Sequence, residues 1–292
     1  MKIDHVTLAG PDLSMLRARF AGVGLRTEYG GQHDNGVTHM SVLPFEDGSY
    51  IELISTVKAA QGSGSPLWAE FIEKDGGPCA WAVQTTEMDS MVQRLRRAKI
   101  AVHGPELMHR RTPEGEIARW RVAFLGDGGP GAVLPFLIED LTPREVRVPP
   151  PPAEDRLDEE GKIREDRVLG VAAAVLAVED LEESADLFQR GFGMAPPTVM
   201  EDDAFEAKVA LFRGTPVVLA QPLTAASPLR HRLDAYGQSP ACFLLRTPDL
   251  ALTRKRLEVK KTAPWLRGRV AWLSPDVLGG RYLGLFGRSG NK

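Results

Sequence analysis

The sequence is poor in cysteine and lacks long apolar runs. Only Cys79 and Cys242 are present in 292 residues, which is too few for a disulfide framework or a cysteine-based zinc site. No stretch stays apolar over the roughly 18 residues that a membrane span needs, and the N-terminus lacks the continuous apolar core of a signal peptide. We therefore expect a cytoplasmic protein without a membrane partner.

The sequence also has no excess of positive charge. Lysine and arginine number 36 against 39 aspartate and glutamate, for a formal net charge of −3, so there is no electrostatic case for nucleic-acid binding. A hydrophobic fraction of 43% and a charged fraction of 26% are typical of a globular protein. At about 150 residues per domain, the length predicts two domains.

Four segments of the chain share one pattern. Each has an apolar strand, a turn with an acidic residue, and a short helix with apolar positions at i, i+3 and i+7. Asp12 is predicted to cap the first helix, whose buried stripe would be Leu13, Leu16 and Phe20. Strand-rich segments with turn signals follow each helix, so the chain is predicted to repeat one strand-helix-strands module four times. The other stripes are Met88, Met91 and Leu95; Leu181, Ser184 and Phe188 after Asp180; and Leu250, Thr253 and Leu257.

A longer internal match groups these modules in pairs. SPLWAEFIEKDGGPCAWAVQT begins at Ser65 and SPLRHRLDAYGQSPACFLLRT at Ser227, and they align without gaps at an offset of 162 (227 − 65). This predicts that residues 1–145 and 167–290 are two copies of one domain. The proline-rich and charged residues 146–166 between them are typical of a linker, and the alternative is a helix packed on the surface.

The motifs resemble the vicinal-oxygen-chelate superfamily, which includes glyoxalase I, extradiol dioxygenases and bleomycin-resistance proteins. The closest likeness is to its glyoxalase-like branch, through IDHVTLAGPDL, GGQHDNGVTHMSVLPFEDGSYIELI and LPFLIED in the first 140 residues. The second half resembles it through VLAVEDLEESADLFQRGFG. The resemblance implies an α+β fold in which four βαβββ modules pair into two tandem domains with cupped mixed or antiparallel sheets.

The resemblance also implies a metal site. The superfamily takes up to four ligands, one from each first strand and one from each closing strand, and here the first module supplies His5 and Glu52. We therefore expect a divalent ion (Zn, Mn, Fe or Ni) in the first domain and none in the second. The remaining mapped positions hold Ala80, Ala173 and Cys242 on first strands, and Phe136 or Leu137, Val218 and Gly284 on closing strands.

Strand alternation offers a third ligand. A hairpin turn at residues 46–47 would place Ser41 opposite Glu52, and His39, Tyr50 and Glu52 would then share one face of the sheet. With the histidine of the first strand, His39 and Glu52 would form a two-histidine, one-carboxylate set that leaves positions open for an oxygen-chelating substrate. We therefore predict catalytic roles for Glu52 and His39, and a substrate contact for Tyr50.

Three further residues are candidates for substrate binding. His33 lies in the glycine-rich segment GGQHDNG, where it could touch a ligand or stay an exposed loop residue. Arg119 and Arg121 alternate onto one face of a predicted strand, where two guanidinium groups could hold a substrate carboxylate. If that face is turned outward, both are solvated charges.

Two functions fit these observations. The first is a metal-dependent glyoxalase-like enzyme acting on a small oxygen-chelating substrate, as a lyase, isomerase or dioxygenase. The alternative is a metal-free protein of the bleomycin-resistance type that binds or sequesters a small molecule, with Trp81, Trp120 and Phe136 around the pocket. In both cases we expect a monomer whose halves form a pseudo-dimer, or a homodimer.

Overall fold

The chain folds into two eight-stranded sheets. The computed structural model describes residues 1–57, 67–203, 205–265 and 268–287. The first sheet consists of β1 (Ile3–Ala9), β2 (Glu28–Gln32), β3 (Thr38–Pro44), β4 (Tyr50–Thr56), β5 (Gly77–Gln84), β6 (Val102–Arg111), β7 (Ile117–Leu125) and β8 (Phe136–Asp140). The second consists of β9 (Gly170–Ala177), β10 (Thr198–Asp202), β11 (Ala207–Leu211), β12 (Val217–Pro222), β13 (Ser239–Thr247), β14 (Thr262–Trp265), β15 (Gly268–Trp272) and β16 (Tyr282–Gly287).

Each module has a helix that starts directly after its first strand. Asp12, Asp180 and Asp249 cap three of these helices, because each carboxylate accepts hydrogen bonds from two backbone N–H groups of the first turn. The predicted stripe residues are buried, except that Met91 is half-buried and Val92 takes its place in the core. The helices are α1 (Leu13–Gly22), α2 (Ala69–Glu73), α3 (Met88–Arg97), α4 (Arg144–Arg147), α5 (Ala153–Arg156), α6 (Leu181–Phe192), α7 (Pro228–Tyr236) and α8 (Leu250–Arg256).

Both sheets have the same topology. The strand order is β2-β3-β4-β1-β5-β8-β7-β6 in the first and β10-β11-β12-β9-β13-β16-β15-β14 in the second. Within each module the first and last strands pair in parallel, and the two modules join through an antiparallel pair at the centre. The predicted α+β fold of four modules in two cupped mixed sheets is confirmed.

The helix-covered faces of the two sheets share one hydrophobic core. Trp81 of β5 and Phe188 of α6 are fully buried, and their rings stack with centroids 6.3 Å apart. The same cluster contains Leu16 and Phe20 of α1 together with residues of α6, α8 and both sheets. Trp81 therefore lies in the core between the domains and not in a ligand pocket.

The predicted register of the first hairpin is wrong by one residue. In the structure Val42 pairs with Glu52, and Pro44 pairs with Tyr50, so the turn is centred on Asp47. Gly48 has a φ of +83°, which lets the loop accommodate one more residue than the prediction allowed. A slip of one residue turns every side chain of the strand to the other face.

The segment predicted as a linker is folded in part. It contains the end of α4, all of α5 and a β-bridge between Leu157 and Ile163. Arg147 of α4 is 4% exposed and packs into the first domain. The domain limits stay predictions, and the one at residues 145–146 falls inside α4. No helix in the described part of the chain is long and apolar enough to cross a membrane.

Candidate functional site

A cavity of about 120 Å³ opens on the concave face of the first sheet. Strands from both modules contribute to it, since a cupped sheet brings its central and outer strands around one space. Its walls combine a small group of polar and charged side chains with aromatic rings, which is typical of small-molecule sites. The lining includes His5, His33, Tyr50, Glu52, Arg110 and Arg147 among polar residues, and Trp68, Trp120, Phe124 and Phe136 among aromatic ones.

A buried ionic network fixes His5 at the base of the cavity. The Asp4 carboxylate is fully buried and accepts a hydrogen bond from Nδ1 of His5 at 2.7 Å. Arg144 and Arg147 both donate to the same carboxylate. Burial alone would raise the pKa of Asp4, but the charge of Arg147 and the hydrogen bond from His5 hold it well below its usual value. With Nδ1 engaged, Nε2 is the ring atom of His5 that faces the cavity.

Glu52 presents a buried carboxylate between two histidines. Its Oε2 lies 3.9 Å from Nε2 of His5, and its Oε1 lies 3.9 Å from Nε2 of His33. These distances are too long for hydrogen bonds, and within the described residues the carboxylate has no closer donor. Glu52 is 6% exposed, its oxygens are not among the fully enclosed unpartnered atoms, and it therefore faces the open space of the cavity without a donor among the described residues. A ligand in the cavity would be in direct reach of this carboxylate.

His33 reaches the cavity from the loop after β2, which is one of the two placements that the sequence left open. Nδ1 lies 2.9 Å from Oγ1 of Thr38, and Asn35 holds the loop by accepting hydrogen bonds from two backbone N–H groups. Burial lowers the pKa of His33, although the charge of Glu52 opposes the shift. The shift favours the neutral form of the ring.

Two arginines of the site were not predicted. Arg147 forms ion pairs with Asp4 and Asp140, and its Nη1 donates to the Tyr50 hydroxyl at 3.0 Å. The Tyr50 ring stacks on His5 with centroids 4.7 Å apart. Arg110 of β6 lies in the cavity wall, where it donates to the Arg147 carbonyl at 2.8 Å. The sequence did contain a signal for Arg110, namely the basic pair Arg110-Arg111, because alternation along a strand buries only one of two neighbouring side chains.

Three predicted site residues lie outside the cavity. The register of the first hairpin turns His39 to the opposite face, where its ring contacts Tyr29 at a centroid distance of 6.0 Å. Arg119 is exposed, and Arg121 pairs with Asp89 and Glu139 on the outer face of β7. The residue between these arginines, Trp120, is the one that points inward.

The donor atoms around Glu52 are of the types that divalent ions prefer, but their spacing does not fit an ion. Ligands of a tetrahedral ion stand about 3.4 Å apart when each bond is about 2.1 Å long, whereas both histidine contacts to Glu52 are 3.9 Å. Among the residues that the structure describes, no three His, Cys, Asp or Glu side chains could hold a metal ion. The Zn, Mn, Fe or Ni cofactor stays a prediction.

The second domain has apolar residues at the positions of His5 and Glu52. The positions of His5 and Glu52 are taken by Ala173 and Val218, as the helix caps and strand pairings both show. Aromatic rings pack edge to face over its concave face, namely Phe205, Trp265 and Trp272.

Two cupped sheets of paired modules, one with a polar cavity, define the chain as a protein of the vicinal-oxygen-chelate fold. The chain belongs to the glyoxalase-like domain family, whose model matches residues 3–190. This confirms the resemblance in the sequence motifs. No curated protein matches the chain.

Solved structures show the same fold at low sequence identity. A hypothetical protein from Staphylococcus aureus is 12% identical with a TM-score of 0.62, and the match covers 98% of this chain and 99% of that one. A mutant of 4-hydroxymandelate synthase from Streptomyces coelicolor is 11% identical with a TM-score of 0.61, covering 100% and 93%. At these identities the matches establish the shared two-domain architecture alone.

Proposed function

We propose that the first-domain cavity binds a small oxygen-bearing substrate and that Glu52 exchanges a proton with it. The observation that carries this proposal is the Glu52 carboxylate, which is buried at the cavity, lies 3.9 Å from two histidines and has no closer donor among the described residues. Clusters of buried titratable groups in a cleft are typical of active sites.

The chemistry follows from the position of the carboxylate. Glu52 would remove a proton from a carbon next to a carbonyl. The electron pair of the C–H bond would form the C=C bond of an enolate, and the π pair of the carbonyl would move onto its oxygen. Return of the proton to a different position gives isomerisation, and loss of a β-substituent gives elimination, so the site suits an isomerase or lyase. His5, held by Asp4, and His33, whose pKa burial lowers, would be the ring groups beside the reacting carbon.

The first prediction concerns proton exchange. Phenylpyruvate and its methyl ester carry methylene protons next to a carbonyl, and wild-type protein should accelerate their exchange with D2O. In Glu52→Gln the acceleration should fall about 100-fold or more, because the carboxamide cannot accept the proton. One-dimensional proton NMR measures the loss of the methylene signal.

His39→Asn is the matched control, because His39 lies on the opposite face of the sheet, and we expect it to exchange at the wild-type rate. Exchange by Glu52→Gln at the wild-type rate, or no acceleration by the wild-type protein, would contradict the proposal. Loss of activity in His39→Asn with a stable fold would restore the predicted catalytic role of His39.

A second candidate function is binding without catalysis. It is favoured by the aromatic lining, in which Trp68 and Phe124 each pack against Phe136, with ring centroids 6.1 and 5.6 Å apart. A sequestering protein would bind both phenylpyruvate compounds without accelerating proton exchange. The same NMR samples therefore separate the two functions, since binding broadens or shifts the ring signals and exchange removes the methylene signal.

A further inference from the structure

Arg110 is a buried cation of the cavity wall without a carboxylate partner. Its side chain is 2% exposed, and its hydrogen bond within the described residues is the one from Nη2 to the Arg147 carbonyl. Its Nε is buried without a partner, and no described carboxylate lies within 4.0 Å of its guanidinium. Glu52 shares the cavity but is not among its ion-pair partners.

Two other arginines that are at most 4% exposed do have carboxylate partners. Arg147, at 4% exposure, is paired with Asp4 and Asp140, and Arg281, at 2% exposure, is paired with Asp75. Buried charges are normally paired in this way, because an unpaired one loses its hydration without compensation. Burial lowers the pKa of Arg110, but a guanidinium stays protonated in a protein. Among the described side chains, no carboxylate within 4.0 Å serves as its counterion, and a ligand in the cavity would supply one.

The geometry of the cavity indicates which class of ligand would supply a counterion for Arg110. A guanidinium presents a planar fork that matches a carboxylate, and pairs of this kind are commonly bidentate. Trp120 and Phe136 are flat apolar groups that line the same cavity as Arg110. The cavity of about 120 Å³ approaches the roughly 150 Å³ of an apolar cavity that holds a benzene ring.

We propose that the ligand of this site is a small aromatic carboxylic acid, with its ring between the aromatic walls and its carboxylate on Arg110. This inference rests on the proposed function of the cavity and names the class of its substrate. It also assigns opposite tasks to the two charged groups, since Arg110 would bind the carboxylate and Glu52 would act on a carbon further along the molecule.

Benzoate and benzamide test this inference, because they share one shape and differ in charge. We expect wild-type protein to bind benzoate at least about 10-fold more tightly than benzamide, since hydrogen bonds to charged groups are among the stronger ones. Isothermal titration calorimetry on the full chain measures both affinities. Equal affinities, or no binding of either compound, would overturn the inference without the need for a variant.

Arg110→Met and Arg111→Met form a matched pair of variants. Arg110→Met should weaken benzoate binding about 10- to 100-fold and leave benzamide binding unchanged, which also shows that the cavity is intact. Arg111 is exposed and donates to the Gly115 carbonyl, so Arg111→Met should bind both compounds like the wild type. Retention of the benzoate preference in Arg110→Met would overturn the assignment.

The outcome is separable from that of the proposed function. Benzoate has no proton next to its carbonyl that Glu52 could remove, so its binding does not depend on proton transfer. If benzoate binding depends on Arg110 while Glu52→Gln still exchanges protons normally, the proposed chemistry fails alone. If the phenylpyruvate ester exchanges as fast as the acid and benzoate shows no preference, the inference about Arg110 fails alone.

Discussion

Replacing Asp4 with asparagine is expected to lower the free energy of unfolding by about 3 kcal/mol. Breaking a buried ion pair by removing one partner costs about 3–5 kcal/mol, and the lower end applies because Asp140 still pairs with Arg147. The substitution also affects the candidate site directly, because the Asp4 carboxylate is the group that orients His5. Chemical denaturation at pH 7 measures the change.

The effect should depend on pH in a defined direction. Because the pKa of Asp4 is lower in the folded protein than in the unfolded chain, its stabilising contribution is complete above the unfolded value of about 3.9 and is lost as pH falls through the folded value. The difference between wild type and Asp4→Asn should therefore shrink only below about pH 4.

Asp89→Asn provides the matched control for this prediction. Asp89 also pairs with an arginine, Arg121, but its side chain is 68% exposed, so the substitution should cost at most about 1 kcal/mol. An Asp4→Asn protein as stable as Asp89→Asn would show that the buried network contributes little to the fold.

Replacing Phe188 with alanine is expected to cost about 3–5 kcal/mol and to destabilise both domains together. Truncation of a fully buried phenylalanine removes apolar burial and leaves a cavity. Phe188 lies at the junction, where its ring packs against Trp81 of the first domain and Phe212 of the second. Because these residues belong to one continuous core, unfolding should remain a single transition, shifted to lower temperature.

Differential scanning calorimetry tests this prediction with Phe286→Ala as the control. Phe286 belongs to the second domain and is 37% exposed, so its loss should change stability by about 1 kcal/mol or less. Two separate transitions, of which Phe188→Ala shifts only one, would contradict a shared core.

The repeated modules could be predicted because each leaves local signals in the sequence. Asp12 and Asp180 cap helices at the same distance from their first strands, and the apolar stripes that follow have a helical period. The register of the first hairpin could not be derived in the same way, because it depends on the length of the turn around Asp47. A difference of one residue in the length of this turn decides whether His39 or Thr38 faces the cavity.

The candidate site was predictable only in part. His5 and Glu52 follow from the family pattern, and His33 from a glycine-rich loop. Arg147 and Arg110 join the site through contacts between distant segments, such as the pair of Arg147 with Asp4 across 143 positions of the chain. No local pattern distinguishes Arg147 from the arginines around it, whereas strand alternation in the pair Arg110-Arg111 offered a signal for Arg110.

A crystal structure of the protein soaked with benzoate tests most directly whether function resides in the first-domain cavity. We predict density for the ring beside Trp120 and Phe136, with the carboxylate within hydrogen-bond distance of the Arg110 guanidinium. The Glu52 side chain should lie next to the bound molecule in the same cavity. Benzoate bound only elsewhere, such as on the concave face of the second domain, with the first-domain cavity holding water, would contradict it.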